Sequence, residues 1–146
     1  MQEVMLPAKA TILCIDDHWN GLIGRKMLLE ENGYKVLEAS GGLEGLELFL
    51  SHSVDAVVLD YQMPGMNGDV VAATMKRFRS RVPIMLLSAQ ELLPKNKLGS
   101  VDCFLSKSQS SKTLLATLQN LLEGRSKPFF SRWLDNWRQR NLLRSV

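Results

Sequence analysis

The sequence predicts an α/β fold in which helices cover both faces of a parallel β-sheet. Two observations lead to this class. Five short apolar runs, several of them rich in β-branched residues, alternate along the chain with segments of helical periodicity. The first of them, A-T-I-L-C-I at residues 10–15, is apolar apart from Thr11, which is typical of a strand that is buried on both faces. Because crossovers between parallel strands are right-handed, repeated strand–helix units leave a sheet with helices on each side as the expected architecture.

The first half of the chain contains two strand–helix units. The strand at residues 10–15 ends at a pair of aspartates, and the helix after it stops at Asn32-Gly33, a sequence typical of a helix C-terminus. The apolar positions of this helix are Leu22, Ile23, Met27 and Leu28. A second strand at residues 34–39 precedes a helix that starts near Gly42. Its apolar stripe is Leu43, Leu46, Phe49 and Leu50.

The second half contains a third unit, an irregular unit and a final one. A strand at residues 54–59 is followed by the turn-rich residues 64–68 and a helix. The apolar positions of that helix are Val70, Val71, Met75 and Phe78. A strand at residues 82–87 precedes Pro94, which excludes a regular helix interior, so the fourth helix is expected to be short or irregular. A fifth strand at residues 101–105 precedes a helix that begins after Ser110-Ser111 and ends at Gly124. Its stripe is Leu114, Leu115, Leu118, Leu121 and Leu122.

Length and composition predict one globular domain with a basic tail. The chain has 146 residues, of which 45% are hydrophobic. Residues 1–124 carry 12 Lys and Arg against 14 Asp and Glu, a net charge of −2, whereas residues 125–146 carry 6 against 1, or +5. No nucleic-acid binding is therefore expected of the main domain. No apolar run approaches the roughly 18 residues of a membrane span, and residues 1–10 do not resemble a signal peptide, so a cytoplasmic location is expected.

Polar residues stand at the predicted ends of four strands. Asp16 and Asp17 follow the first strand, Asp60 the third, Ser88 the fourth, and Lys107 lies just beyond the fifth. Because the carboxyl ends of parallel strands meet at one edge of a sheet, we expect these side chains to lie together. Three carboxylates repel one another unless a cation lies among them, and Mg²⁺ takes carboxylate, water and phosphate oxygens. A lysine and a hydroxyl can bind a phosphoryl group there, so the pattern indicates a phosphoryl-transfer site.

These residues lie in motifs that resemble the receiver domain of bacterial two-component response regulators, over roughly residues 9–125. The motifs are Asp16-Asp17, V-V-L-D-Y-Q-M-P-G-M-N-G at residues 57–68, L-L-S-A at residues 86–89 and F-L-S-K at residues 104–107. The resemblance implies a flavodoxin-like, doubly wound sheet of order 2-1-3-4-5. In that order the first and fifth strands are not neighbours, so Cys14 and Cys103 should not pair. Both cysteines lie in apolar runs without metal or redox spacing, and we expect them to be buried thiols.

The resemblance also implies a metal site and a phosphoacceptor. Asp60 would take a phosphoryl group from a histidine kinase or phosphotransfer protein and become an acyl phosphate. Asp17, Asp60 and the backbone carbonyl of Gln62 would hold Mg²⁺ directly, while Asp16 would act mainly through bound water. His18, beside the acidic pair, is a further candidate ligand, although Mg²⁺ favours oxygen donors.

Four further residues match positions that bind the phosphoryl group or respond to it. Ser88 and Lys107 would bind the phosphoryl group. Phe104 would be an aromatic switch that turns inward when Ser88 is drawn toward the phosphate, although core packing alone also explains an aromatic residue there. Gln62 and Gln90 would tune the lifetime of the phosphorylated state.

The sequence departs from the family pattern in the region before the last helix. Ser108 follows Lys107 where family members usually have a proline joined by a cis bond, and we expect a trans bond here. The spacing from Ser88 to Lys107 is also shorter than is usual in the family, with the shortfall around Pro94. This region belongs to the face through which many receivers dimerise or signal, so output through that face is an open question.

The tail and the overall function leave alternatives open. Residues 126–146 are expected to form a basic amphipathic helix that packs on its own receiver or on a second copy, docks on a partner protein, or contacts a membrane surface or nucleic acid. The first hypothesis for the whole chain is a stand-alone signalling switch, not an enzyme beyond its own phosphorylation and dephosphorylation. The alternatives are a phosphorylation-independent scaffold and an Asp-nucleophile phosphatase. The chain could also be part of a longer protein.

Overall fold

A five-stranded parallel sheet lies at the centre of the fold, in the order β2-β1-β3-β4-β5. The computed structural model describes residues 10–125. The strands are β1 (Thr11–Ile15), β2 (Lys35–Ala39), β3 (Ala56–Asp60), β4 (Ile84–Ser88) and β5 (Cys103–Ser106). The helices are α1 (Trp19–Glu31), α2 (Gly42–Ser51), α3 (Gly68–Phe78) and α4 (Ser111–Arg125). The predicted fold class and strand order are confirmed.

The two faces of the sheet carry two hydrophobic cores, because successive residues of a strand point to opposite sides. Leu13 and Ile15 of β1 belong to the core under α2 and α3. Ile12 and Cys14 of the same strand belong to the core under α1 and α4. β1 and β3 pair with strands on both edges, and their apolar residues are almost completely buried. The continuous apolar runs of these central strands are explained by this burial on both faces.

The predicted helix stripes are partly wrong. Five residues assigned to them are exposed at the surface: Met27, Leu43, Leu50, Val70 and Phe78. In α2 the cause is a pair of glycines, since Gly42, Gly45 and Phe49 form its buried line. A Cβ atom at Gly45 would lie 2.4 Å from Cδ1 of Ile15, so the helix backbone approaches the sheet closely at this point. The helix is thereby rotated, and Leu43 and Leu50 face outward.

The other predictions about local structure have mixed outcomes. Between β4 and β5 the only helical segment of the described chain is a 3₁₀ turn, Lys95–Lys97, directly after Pro94, as expected of a short or irregular fourth helix. Cys14 and Cys103 are both free, as predicted. Cys14 is buried but Cys103 is only partly so, because β5 is an edge strand. Within residues 10–125, no helix is long and apolar enough to cross a membrane.

The predicted division into a receiver at residues 9–125 and a tail at residues 126–146 stays a prediction. The proposed tail helix and the first residue of the predicted receiver lie outside the described residues.

Candidate functional site

The ends of β1, β3, β4 and β5 bring the predicted site residues together at one edge of the sheet. Backbone hydrogen bonds continue past the strand ends: the N–H of Tyr61 donates to the carbonyl of Leu87 at 2.8 Å, and the N–H of Lys107 donates to the carbonyl of Ser88 at 2.7 Å. These bonds fix the chain where the functional side chains project. Asp16, Asp60 and Ser88 are almost fully buried here, which is unusual for polar residues.

Lys107 is the ion-pair partner of Asp60. Its Nζ lies 2.9 Å from Oδ1 of Asp60 and 3.6 Å from Oδ2 of Asp16. Burial raises the pKa of Asp60, and repulsion from Asp16 adds to this rise, while the hydrogen bond from Lys107 opposes it. The net direction is upward from the ordinary value. The Asp60 carboxylate is therefore held in a place where its negative charge is only partly compensated.

The negative charge of the Asp16 carboxylate is offset by more donors and cations than that of Asp60. Its Oδ1 accepts a 2.8 Å hydrogen bond from the backbone N–H of His18, and its Oδ2 accepts a hydrogen bond from Nη2 of Arg25. Burial alone would raise the pKa of Asp16, but the His18 N–H, Arg25 and Lys107 together outweigh burial and hold this pKa below its ordinary value. Asp16 is thus an ionised, fully paired carboxylate.

His18 stands over the acidic group with an exposed side chain. Its Nδ1 lies 3.1 Å from Oδ1 of Asp17, 3.3 Å from Oδ1 of Asp16 and 3.9 Å from Oδ2 of Asp60. The sequence suggested His18 as a further candidate ligand, and the structure places it beside all three carboxylates. The ligand atoms of these four residues lie within 4.8 Å of one another.

The donor set fits a hard divalent cation. Among residues 10–125, neither Oδ1 of Asp17 nor Oδ2 of Asp60 accepts a well-formed hydrogen bond, although both atoms are buried and the His18 imidazole lies beside them. Two such oxygens, both beside His18 in one acidic cluster, are suitable ligands for an oxygen-preferring ion such as Mg²⁺. A buried carboxylate oxygen without a donor is costly in the absence of a cation.

The remaining predicted residues surround this centre. The Oγ of buried Ser88 accepts a 3.0 Å hydrogen bond from the backbone N–H of Gln90. The side chains of Gln62 and Gln90 are exposed near the strand ends. Phe104 lies on β5 opposite Leu86 and packs, partly buried, against the core under α2 and α3. This position is compatible with both roles considered for Phe104, the aromatic switch and simple core packing.

The loop after Lys107 is stabilised by serine side chains. The Oγ atoms of Ser106 and Ser108 are 2.9 Å apart, and the N–H of Ser108 donates to Oγ of Ser106 at 3.3 Å. A proline at position 108 would have no N–H for this bond. No cis peptide bond occurs in the described chain, so the predicted trans bond between Lys107 and Ser108 is confirmed.

One residue of the site was missed from the sequence. Arg25 lies between the apolar positions Ile23 and Met27 of the predicted first helix, where a polar residue is expected at the surface, yet its guanidinium is buried against Asp16. The only sequence signal was Gly21, which lies one helical turn earlier and leaves space for the guanidinium. Position in a helical period does not reveal such a contact, because the partner Asp16 lies nine residues earlier in the chain, just after the end of β1 and outside the helix.

The fold and the site define an α/β domain with an acidic edge whose residues could hold a cation, and with a lysine beside the Asp60 carboxylate. The sequence profile of the response regulator receiver domain matches residues 12–119. The chain belongs to the receiver domain family of two-component response regulators.

Curated relatives and solved structures agree with this assignment. The response regulator MprA of Mycobacterium avium (strain 104) is 32% identical over 120 residues, which are 80% of this chain and 52% of MprA. The chain therefore spans about half the length of the curated relatives it matches. The response regulator TrrA of Thermotoga maritima, crystallised in complex with Mg²⁺-BeF, is 31% identical with a TM-score of 0.74, and the match covers 77% of this chain and 99% of TrrA.

A second structure contains the same relative with a kinase. TrrA in complex with the histidine kinase ThkA matches at 31% identity, with a TM-score of 0.73 and coverage of 78% of this chain and 99% of TrrA. A receiver domain protein of Clostridium thermocellum matches at 28% identity and a TM-score of 0.73, covering 79% of this chain and 95% of that protein.

Proposed function

We propose that this receiver is a phosphoacceptor signalling switch. Asp60 takes a phosphoryl group from the phosphohistidine of a histidine kinase or phosphotransfer protein, with Mg²⁺, and the phosphorylated receiver changes its protein contacts. In this proposal Asp60 is the acceptor, Mg²⁺ is the cofactor, and a histidine kinase or phosphotransfer protein is the donor. A cytoplasmic location is part of the same proposal.

The observation that carries the proposal is the environment of the Asp60 carboxylate. One oxygen, Oδ1, is held by Lys107, and the other, Oδ2, is buried without a hydrogen-bond donor in the described chain. A carboxylate fixed in orientation, with its charge only partly compensated, is suited to act as a nucleophile. Asp16 does not have this character, because both of its oxygens accept hydrogen bonds.

The reaction transfers a phosphoryl group from an imidazole nitrogen of the donor to a carboxylate oxygen of Asp60. One carboxylate oxygen of Asp60 forms a bond to phosphorus while the bond from phosphorus to the donor imidazole nitrogen breaks. The electron pair of that bond stays on the imidazole, which becomes neutral or takes a proton from water. Lys107 then lies within reach of the transferred phosphoryl oxygens, and the Ser88 hydroxyl can donate a hydrogen bond to another.

Asp17, Asp60 and the carbonyl of Gln62 are the groups that would hold Mg²⁺, with Asp16 acting through bound water. When bound, Mg²⁺ offsets the charge that develops on the phosphoryl oxygens. The crystallised complex of TrrA with Mg²⁺-BeF supports this part of the proposal, since TrrA is a relative of the chain.

The histidine kinase bound to TrrA in the second structure supports a kinase as the phosphoryl donor. For the response to phosphorylation we propose Ser88 and Phe104 as the switch pair, and Gln62 and Gln90 as residues that tune the lifetime of the acyl phosphate. The downstream contact could be a partner protein or a second copy of the chain. We also propose that residues 9–125 are the receiver and that residues 126–146 are a basic tail.

The experiment is intact-mass analysis of the full chain after incubation with acetyl phosphate and Mg²⁺. We expect a single phosphoryl adduct that hydroxylamine removes. Asp60→Asn and a sample without metal should show no adduct, while Asp69→Asn, which changes an acidic residue of α3 outside the acidic cluster, should behave as the wild type.

The outcomes separate the alternatives. An adduct that persists in Asp60→Asn would contradict the assignment of the acceptor. If neither acetyl phosphate nor beryllofluoride gives a Mg²⁺-dependent adduct, the chain is a phosphorylation-independent scaffold. Continuous turnover of small phosphate esters would favour the Asp-nucleophile phosphatase instead.

A further inference from the structure

Arg25 is a buried cation that belongs to the acidic edge of the sheet. Its side chain is only 12% exposed, and that of its partner Asp16 is 0% exposed. Nη2 donates to Oδ2 of Asp16, while Nη1 is buried without a hydrogen-bond partner among the described residues. An arginine is rarely buried unless its charge is paired, so the contact with Asp16 accounts for its position.

Gly21 gives the guanidinium its space. A Cβ atom at position 21 would lie 2.9 Å from Nη2 of Arg25 and 3.2 Å from Oδ2 of Asp16. Glycine is a poor helix residue, so its presence inside α1 has a local cost that this close approach explains. Gly24, in the same helix, offers the contrast: apart from its two chain neighbours and the nearby helix backbone, a Cβ atom there would meet no atom of the described residues within 4 Å.

The pairing divides the three carboxylates into two kinds. Asp16 is bound by the N–H of His18 and by Arg25, and Lys107 lies 3.6 Å from it. Asp17 and Asp60 each keep one buried oxygen that accepts no hydrogen bond within residues 10–125, and the imidazole of His18 lies 3.1 Å from that oxygen of Asp17. The positive charge of Arg25 therefore lies next to the candidate cation site. It is paired with Oδ2 of Asp16, so this oxygen is not free to coordinate the cation.

We propose that Arg25 is a positioning residue that holds Asp16 in an internal ion pair, keeps it out of the direct Mg²⁺ ligand set and lowers the affinity of the site for Mg²⁺. Gly21 is the residue that permits this pair. The inference rests on the proposed function, because it concerns the same cation site. It assigns a role to a helix residue outside the motifs that carry the resemblance to the family.

Electrostatics gives the direction of the effect. Arg25 repels a divalent cation that binds beside Asp16, and its removal also leaves the Asp16 carboxylate free to attract that cation. We expect Arg25→Gln to bind Mg²⁺ roughly 3- to 30-fold more tightly than the wild type, the range allowing for partial screening by solvent. Arg25→Lys keeps the positive charge but lacks the planar guanidinium group. Its affinity for Mg²⁺ should lie closer to that of the wild type than the affinity of Arg25→Gln does.

Gly21→Ala tests the same idea without removing any charge. The added methyl group would displace the end of a flexible side chain, and the guanidinium has space to move because Gly21, Gly24 and Arg25 line a cavity of about 430 Å³. Mg²⁺ binding should become tighter, by a smaller factor than in Arg25→Gln. Gly24→Ala is the matched control, since it adds the same methyl group to the same helix, and its Mg²⁺ affinity should equal that of the wild type.

The experiment is an NMR titration of the full chain with MgCl₂ at constant ionic strength, following the backbone amides of His18 and Tyr61. The dissociation constant is the readout, and amide dispersion reports whether each variant is folded. Asp17→Asn, which removes a proposed ligand, should weaken binding in the wild-type background.

The possible results are distinct. If the wild type binds Mg²⁺ and Asp17→Asn weakens binding, but Arg25→Gln and Gly21→Ala leave the dissociation constant unchanged or raise it, Arg25 has only a structural role and the inference is wrong while the proposed function stands. If no variant binds Mg²⁺, both fail. Tighter binding in Arg25→Gln and Gly21→Ala but not in Gly24→Ala supports the inference.

Discussion

Gly68 contacts the backbone of Asp60 so closely that a Cβ atom at position 68 would lie 2.4 Å from the Asp60 carbonyl oxygen. Gly68 is the first residue of α3, and its N–H donates a 2.7 Å hydrogen bond to the carbonyl of Tyr61. The turn that follows the acceptor strand therefore returns directly onto that strand. Because the contact is with backbone atoms, a side chain at position 68 could not be accommodated by a rotamer change.

We predict that Gly68→Ala destabilises the protein by about 1–3 kcal/mol, since the methyl group would overpack a rigid backbone contact. Urea unfolding followed by circular dichroism measures the loss. Gly41→Ala is the matched control, because residue 41 immediately precedes α2 and a Cβ atom there would have no neighbour within 4 Å in the described chain. Equal stabilities of the two variants would contradict the close approach.

Asp60→Asn should raise the midpoint of thermal unfolding at neutral pH in the absence of Mg²⁺. Burial and then Asp16 raise the pKa of Asp60, so the folded state binds its proton more tightly than the unfolded state. The folded protein therefore loses stability as the pH rises through the pKa of Asp60 in the folded state, because the carboxylate becomes charged. The uncharged side chain of Asn at position 60 does not have this unfavourable ionisation. The gain should shrink as the pH falls and should vanish below the ordinary value of 3.8.

The measurement is a series of melting curves from low to neutral pH. Glu31→Gln, which changes an exposed residue, is the control for removing one negative charge. Its melting temperature should differ little from that of the wild type at every pH. A stability gain in Asp60→Asn that grows toward low pH would have the wrong sign.

Cys14 should resist thiol reagents in the folded protein. It is fully buried on β1, and burial raises the pKa of its thiol to about 12, so very little reactive thiolate is present at neutral pH. In a Cys103→Ser background, Ellman's reagent should give no signal until denaturant is added. Cys103 is only partly buried, so Cys14→Ser should be labelled faster. Rapid labelling of Cys14 in the native state would show that β1 opens readily.

Asp102 is a structural acid whose loss should weaken the packing of α3 and β4. Its Oδ2 accepts hydrogen bonds from the N–H of Ile84 at 2.8 Å and from Nζ of Lys76 at 2.6 Å. Asp102→Ala should cost about 1–3 kcal/mol, because it removes the acceptor of a partly buried backbone N–H. Lys76→Met removes the ion pair and the hydrogen bonds from Nζ to the carbonyls of Ser80 and Val82, while Asp102 still accepts from Ile84. We expect a smaller loss in urea unfolding, since water can replace the ammonium group at acceptors that are exposed or only partly buried. A larger loss in Lys76→Met than in Asp102→Ala would contradict this division.

The sequence predicted the sheet and most of the site because both depend on short, local patterns. Apolar runs indicate the strands, and because parallel strands end at one edge of a sheet, Asp16, Asp60, Ser88 and Lys107 are expected to lie together there. Their order along the chain was enough to predict that they would lie together.

Helix rotation and long-range pairs were not predictable in this way. The glycines of α2 turn Leu43 and Leu50 outward, because the close approach of Gly45 to Ile15 depends on tertiary packing. The pairing of Arg25 with Asp16 likewise depends on the distance between a helix and a strand end, which periodicity does not encode. Partial burial of Cys103 follows from the edge position of β5, which the resemblance to the receiver family implied but the apolar run around Cys103 did not.

The most direct test of the central claim is to locate the phosphoryl group. The full chain is incubated with acetyl phosphate and Mg²⁺, reduced with borohydride, which converts an aspartyl phosphate to homoserine, and digested for peptide mass analysis. We expect homoserine at position 60 alone, and only when Mg²⁺ was present during phosphorylation. Conversion at Asp16 or Asp17 instead of Asp60, or equal modification without Mg²⁺, would contradict the central claim.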